Sequence, residues 1–134
     1  MSNWDISNYG AYDVNTEVNF SNGGSGSSIV SKGEYTINVI RLDDYFENRK
    51  IPTFIKMDIE GAELKALQGS AKIIRKHKPK LAICVYHKPE DIITIPSYLL
   101  ELNPNYQFYL RHYTNRLNET VLYAIDKHEK DVCI

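Results

Sequence analysis

The sequence predicts one α/β domain: an open, mostly parallel sheet with a C-terminal antiparallel hairpin, preceded by a small β-hairpin region. Three observations predict it. Strand-forming runs alternate with helical spacing after residue 50, the pattern of a layered α/β sheet. Leu81 to Tyr86 is a continuous apolar run, as expected for a strand covered by helices on both faces. Composition also shifts near residue 50: five of the seven glycines lie in the first forty residues, while all five prolines come later. Residues 1–50 therefore read as the hairpin region and residues 51–134 as the α/β core of a single 1–134 domain. With 134 residues, 43% hydrophobic and 25% charged, the chain can bury one core but not two, and the disordered and fibrous classes are excluded.

In chain order, Glu17 to Phe20, Ser28 to Val30 and the alternating Tyr35 to Ile40 have strand character, with Asn22-Gly23-Gly24-Ser25-Gly26 as a hairpin tip. Asp43 and Asp44 precede Tyr45 and Phe46 and predict the N-cap of a short helix. Thr53 to Ile59 is a strand and Ala62 to Gln68 a helix closed by Gly69. Ser70 caps a further segment with Ile73 and Ile74, which Pro79 stops. After the Leu81 strand, Pro89-Glu90-Asp91 and Pro96 open two short helical pieces ending at Asn103-Pro104. Phe108 to Tyr113 and Thr120 to Ile125 form the final hairpin. The resulting β-α-β-α-β-β order predicts that the Thr53 and Leu81 strands run in parallel.

The formal net charge of −1 removes the electrostatic case for a nucleic-acid partner, and the cluster Lys72, Arg75, Lys76, Lys78 and Lys80 reads as a solvated helix end. Cys84 and Cys133 are too far apart in sequence for a local metal-ligand motif, and Cys84 sits within an apolar run, so a reduced, cytoplasmic chain is expected. The segment from Met1 to Asp5 has no basic or apolar stretch of a signal peptide, and no run reaches the ~20 apolar residues of a membrane span. A soluble protein with no membrane partner is expected.

In an open α/β sheet, ligands collect beyond the carboxyl ends of the strands. Three places qualify. Met57-Asp58-Ile59-Glu60-Gly61-Ala62-Glu63 gathers three carboxylates beside a glycine; Tyr86-His87-Lys88 puts a titratable histidine after a buried strand; Arg111-His112-Tyr113 ends the next strand. Each has a plainer reading. Asp58 or Glu60 could cap the following helix and Glu63 complement its dipole, His87 and His112 could be turn residues, and Tyr106, Tyr109, Tyr113 and Tyr123 have the two-residue spacing of a packed sheet face. The glycine cluster does not lead from a buried strand into a helix, so it is not read as a phosphate loop.

Ile55-Lys56-Met57-Asp58-Ile59-Glu60-Gly61-Ala62-Glu63, followed by Leu67-Gln68-Gly69, resembles the FkbM-type family of S-adenosylmethionine-dependent methyltransferases. The resemblance extends through Leu81 to Asp91, Tyr109 to Tyr113 and Glu119 to Ala124, and upstream through Gly10 to Asp13, Gly24 to Ser28 and Leu42 to Asp44. It implies a partial class I methyltransferase-like, Rossmann-like sheet. The strand and acidic glycine-rich loop that hold the cofactor's amino-acid part in that class, and the acid for its ribose, have no counterpart here. The chain therefore resembles the C-terminal portion of such an enzyme.

The resemblance implies S-adenosylmethionine as cofactor, bound weakly or not at all by this chain, and O-methyl transfer to a small-molecule or sugar-type hydroxyl. It casts Asp58, Glu60 and His87 as catalytic, with Asp58 also beside the cofactor, and Glu63, His112 and Tyr113 as contacts to the acceptor. A divalent ion on Asp58, Glu60 and His87 would suit magnesium or manganese, but the spacing is a weak warrant and no metal is expected. A sheet edge left uncovered predicts self-association as a homo-oligomer. The competing reading is a non-catalytic α/β interaction module derived from a methyltransferase.

Overall fold

Among the described residues, four strands of the N-terminal region and four of the C-terminal region form two separate sheets, with four helices following the first. The structure is a computed structural model that describes residues 4–21 and 28–129. The predicted hairpin tip at residues 22–26, part of the Gly24 to Ser28 segment, and Cys133 lie outside the described residues. The first sheet joins β1 (Gly10–Ala11), β2 (Thr16–Ser21), β3 (Ser28–Ile29) and β4 (Tyr35–Ile40) in the order β1-β4-β2-β3. β2 pairs antiparallel with both β3 and β4, the hairpin material expected from the early alternating runs. After α1 (Leu42–Tyr45) come β5 (Phe54–Met57), α2 (Glu63–Gln68), α3 (Ala71–His77), β6 (Lys80–Cys84), α4 (Asp91–Leu102), β7 (Tyr106–His112) and β8 (Thr120–Asp126).

The second sheet has the order β5-β6-β8-β7. β5 and β6 are parallel, in the register Met57↔Ile83, and β7 and β8 form the expected antiparallel hairpin. The expectation of a mostly parallel sheet is corrected: four of the six strand pairings are antiparallel. Two of these belong to the first sheet, and in the second sheet the reason is the crossover through α4. It sets β7 down two positions from β6, and β8 folds back into the gap, antiparallel to both neighbours. β5 pairs on one side only, so its other edge is open to a further strand.

Helices cover one face of this sheet. Ile55 and Met57 of β5, Leu81 and Ile83 of β6, and Leu122 and Ala124 of β8 form a core with Leu67 of α2, Ile74 of α3 and Ile95 and Leu99 of α4. The alternate residues Ala82 and Cys84 look instead into an open cleft, so the Leu81 strand is not covered by helices on both faces. Burying Ile95, Leu99 and Leu102, at roughly 1.5–3 kcal/mol each, also explains why one helix runs through Pro96 where two pieces were expected. The bond lost at that proline costs about 3 kcal/mol, less than the burial gained.

Capping differs from expectation as well. Arg41, not Asp43, precedes α1, and the buried Asp43 carboxylate instead accepts from the free amides of Lys72 (3.1 Å) and Ile73 (3.0 Å) at the start of α3. Ser70 occupies the N-cap position, but its hydroxyl donates to the Ala66 carbonyl. The cluster of cations falls where expected, with Arg75 and Lys76 in the last turn of α3.

At the end of β8, Asp126 accepts from the Asn103 amide (2.8 Å) and the His128 backbone N–H (2.8 Å), with the Lys78 ammonium 3.8 Å away. Burial, the largest single influence, raises its pKa, but these donors and charges together hold the carboxyl below its usual range. A lowered folded-state value favours the ionised form in the fold. The stabilisation is therefore complete above about pH 4 and disappears as pH falls through the folded-state value. Asp126→Ala should cost about 2 kcal/mol at pH 7, and urea unfolding should show the gap to the parent narrowing in acid below about pH 4.

Candidate functional site

Because β5 and β6 are parallel and in register, their carboxyl ends lie side by side, and the chain leaves both into the same space. From β5 it enters a tight turn in which Glu60 (φ 55°) and Gly61 (φ 91°) both adopt left-handed backbone. A Cβ at Gly61 would lie 3.1 Å from Lys88 Cε and 3.7 Å from His87 Cβ. The glycine thus serves both the backbone conformation and the close approach of the turn to the segment after β6. Ala62 N–H donates to the Ile59 carbonyl (3.2 Å) and α2 begins at Glu63.

This packing brings four of the residues singled out from sequence together. Glu63 is fully buried, accepting from Ile59 N–H (3.0 Å) through Oε1, which also lies 2.9 Å from His87 Nδ1. The other ring nitrogen, Nε2, lies 3.5 Å from Asp58 Oδ1 and 3.5 Å from Glu60 Oε2. The His87 side chain is 9% exposed, whereas those of Asp58 and Glu60 are 44% and 37% exposed. One buried imidazole is therefore held between a buried carboxylate and two that reach solvent. Neither ring nitrogen completes a hydrogen bond of good geometry among the described residues, nor does Glu63 Oε2.

Tyr86 was not assigned a role from sequence, although its alternation with Ala82 and Cys84 places it on the open face. Its hydroxyl donates to Asp58 Oδ1 (3.1 Å). Burial, then that hydrogen bond and the charge of Asp58, push its pKa up to about 12, so the phenol keeps its proton and steers the carboxylate. Burial likewise pushes the Cys84 thiol up to about 12, with Asp58 adding to the shift, which leaves an inert thiol as its apolar sequence context predicts. Asp91, at the first position of α4, is buried and raised above the usual carboxylate range by that burial and by the nearby charge of Glu63.

Glu63, expected to touch an acceptor, instead lies beneath His87 and out of reach of solvent. Tyr113 faces the cleft of about 340 Å³ that also includes Asp58, Tyr86 and Tyr123, and its hydroxyl is 2.6 Å from that of Tyr123. His112 stands apart. It is exposed, and its Nδ1 pairs with Thr120 Oγ1 (2.8 Å) across the hairpin. A second, mostly apolar cleft of about 250 Å³ opens on the other side of the turn, between Asp58, Glu60 and Ala62 and the first sheet's Gly10, Phe20, Ile37 and Val39. Asp58 borders both clefts. No helix among the described residues is long and apolar enough to cross a membrane.

Comparison with known proteins gives this arrangement a context. A family described as the methyltransferase FkbM domain matches residues 2–118. The crystal structure of methyltransferase FkbM from Methylobacillus flagellatus KT is 38% identical and superposes with a TM-score of 0.72 over 90% of this chain. This chain spans 28% of the length of that one. No curated protein compared with it matches. With the family match covering most of its length and the turn, strand ends and hairpin folded as described, the chain belongs to the FkbM methyltransferase domain family.

Proposed function

We propose that the chain supplies the acceptor side of an S-adenosylmethionine-dependent O-methyltransferase acting on a small-molecule or sugar-type hydroxyl. The observation that carries this reading is the convergence of Asp58, Glu60 and His87 at the carboxyl ends of adjacent parallel strands, with a buried carboxylate fixing the imidazole from behind. A hydroxyl is a poor nucleophile until its proton is removed, and a positioned base contributes roughly 10²–10⁴-fold to such a step. Asp58 and Glu60, half-exposed, orient the hydroxyl and take up its proton; Glu63 holds the ring of His87 so that Nε2 faces the same point. Tyr113 and the aromatic cleft beside Asp58 offer the acceptor a surface to lie on.

The methyl group itself would come from S-adenosylmethionine. The described residues fit that cofactor only in part. Asp58 and Glu60 suit the positive sulfonium, but the same carboxylates repel the cofactor's own carboxylate, and the described residues offer no glycine-rich strand-to-helix loop to receive it. Weak or negligible cofactor binding by this chain alone is the expected result, since little remains to offset the several kcal/mol of association entropy. Calorimetric titration with S-adenosylmethionine tests this, paired with radiolabelled methyl transfer to a panel of small hydroxylated compounds by a longer protein that contains the chain. Low-micromolar affinity for the chain alone would overturn the account of cofactor binding. Transfer to nitrogen or carbon acceptors but to no hydroxyl would overturn the assigned reaction.

A further inference from the structure

We propose that the chain forms a two-fold homodimer through the free edge of β7, with Leu110 opposite the partner's Leu110 and the second sheets of the two protomers joined into one. The inference does not depend on the reaction assigned to the turn at Asp58.

The first observation is how little β7 is protected. Strand edges are ordinarily blunted by shortness, lysine, proline or a bulge. Among the described residues, the edge strands β1 and β3 of the first sheet are two residues long. The edge strand β5 of the second sheet is four residues long, carries Lys56 and begins just after Pro52. β7, at the other edge, has none of these devices. It is seven residues long, contains no lysine, proline or carboxylate, and keeps unbroken register with β8 from Tyr106↔Asp126 to His112↔Thr120. Apolar side chains within it remain open to solvent, Tyr109 at 42% and Leu110 at 52% exposed.

The second observation is which backbone groups the edge presents. Tyr113 N–H donates to the Glu119 carbonyl (3.1 Å) and Lys127 N–H to the Asn105 carbonyl (3.0 Å), so the odd-numbered residues of β7 are the ones that bond to β8. Phe108, Leu110 and His112 therefore turn their N–H and C=O groups outward, at the alternate spacing that an antiparallel partner completes.

The register follows from charge and from these groups. In a two-fold antiparallel pairing, opposed residues share a sheet face, so one residue meets itself on the axis. A centre at Arg111 would oppose two guanidinium groups. A centre at Tyr109 would set His112 against the partner's Tyr106, whose N–H already donates to a carbonyl of its own chain, that of Asn103 (3.2 Å). A centre at Leu110 avoids both problems. Phe108 then opposes the partner's His112, and every outward N–H and C=O of the three residues finds a partner. On the open face Arg111 lies across from the partner's Tyr109, a cation–π pair made twice. Gln107 lies across from the partner's Tyr113, and because Tyr113 borders the cleft that contains Asp58, each protomer extends the wall of the other's cleft. The axis is perpendicular to the sheet, so the helices of both protomers stay on one face, and α4, which packs on β7, comes beside its counterpart.

The test is sedimentation velocity of the chain across the micromolar range. A monomer–dimer equilibrium is expected, dissociating within that range because one strand pair and its flanking helices make a small interface. Leu110→Lys and Leu110→Glu should each weaken it by about 10-fold or more, since each sets two like charges together on the axis. An equimolar mixture of the two variants should dimerise again, because opposite charges then meet there. Leu117→Lys, at an exposed residue of the β7–β8 link, should change nothing. Circular dichroism checks that each variant is folded, and amide exchange of the unsubstituted chain serves if the Leu110 variants do not fold. Raising the concentration should slow the amides of Phe108, Leu110 and His112, and leave those of Tyr109 and Arg111, already bonded to β8, unchanged. A chain that stays monomeric throughout the range overturns the proposal. So does a dimer indifferent to both Leu110 variants, which would place the contact elsewhere, the β5 edge included. Failure of the mixed variants to associate, or exchange slowed at Tyr109 in place of Leu110, overturns the pairing of Leu110 with itself.

Discussion

In a methyl-transferring protein that contains this chain, Asp58→Asn and Glu60→Gln are each expected to lower turnover by about 10²-fold or more, the contribution of a positioned proton acceptor. Neither should move the unfolding free energy by more than about 0.5 kcal/mol, because the side chains are half-exposed and support no core contact. Matched initial rates and denaturant melts separate the two effects. The turn they occupy gives the contrast its basis: α2 begins at Glu63 without a side-chain cap from Asp58 or Glu60, so the plainer reading of these acids as helix caps finds no support in the hydrogen bonds. Unchanged turnover in both variants would remove them from the chemistry.

The site was legible in sequence where chemistry and local geometry coincide. Three acids around a glycine, next to a strand rich in β-formers, mark a turn at a strand's carboxyl end, and the parallel pairing of β5 with β6 then places His87 beside it. What sequence could not show was which acid faces which way. Glu63 opens α2, and its place in the helix turns its carboxylate inward beneath His87, whereas Asp58 and Glu60 project outward. Tyr86 was hidden for a related reason: its role depends on the open face of the sheet, and a continuous apolar run does not say which of its two faces helices cover.

Topology is the feature least legible in the sequence. Local periodicity correctly predicts strands and helices, but it contains no information on the order in which strands join a sheet. The insertion of β8 between β6 and β7 follows from how far the α4 crossover reaches, a tertiary property. Asp43 teaches the same lesson on a smaller scale. An aspartate ahead of a short helix looks like that helix's own cap, yet its buried carboxylate serves the amides of α3, about thirty residues onward. Propensity identified a capping residue, and packing chose the helix it caps.

Gly69→Ala is expected to be strongly destabilising. Gly69 follows α2, and a helix-closing glycine is ordinarily needed for a left-handed conformation; here its φ of −71° is one that any residue adopts. What demands glycine is space. A Cβ would lie 1.9 Å from the Tyr12 carbonyl oxygen, 2.9 Å from its carbon and 3.3 Å from the Arg41 Cα. All three are backbone atoms, so no side chain can rotate away, and relief requires the segments after β1 and β4 to withdraw from the helices. That withdrawal would disturb the hydrogen bond from Asp43 N–H to the Gly69 carbonyl (2.9 Å) and with it the Asp43 cap on α3. A cost of roughly 3 kcal/mol or more follows, at or beyond the upper end of ordinary overpacking and a large share of a typical domain's stability. Gly10→Ala provides the comparison, since its nearest contact, 3.1 Å, is the movable Val39 Cγ1. Denaturant melts of both variants should show the Gly69 substitution far more costly. Amide exchange should rise first in β1 and β4 while β6 stays protected, because the clash separates the N-terminal sheet from the helices without touching the second sheet's core. A Gly69→Ala chain as stable as Gly10→Ala would mean that the two layers yield to each other far more readily than a backbone-to-backbone contact allows.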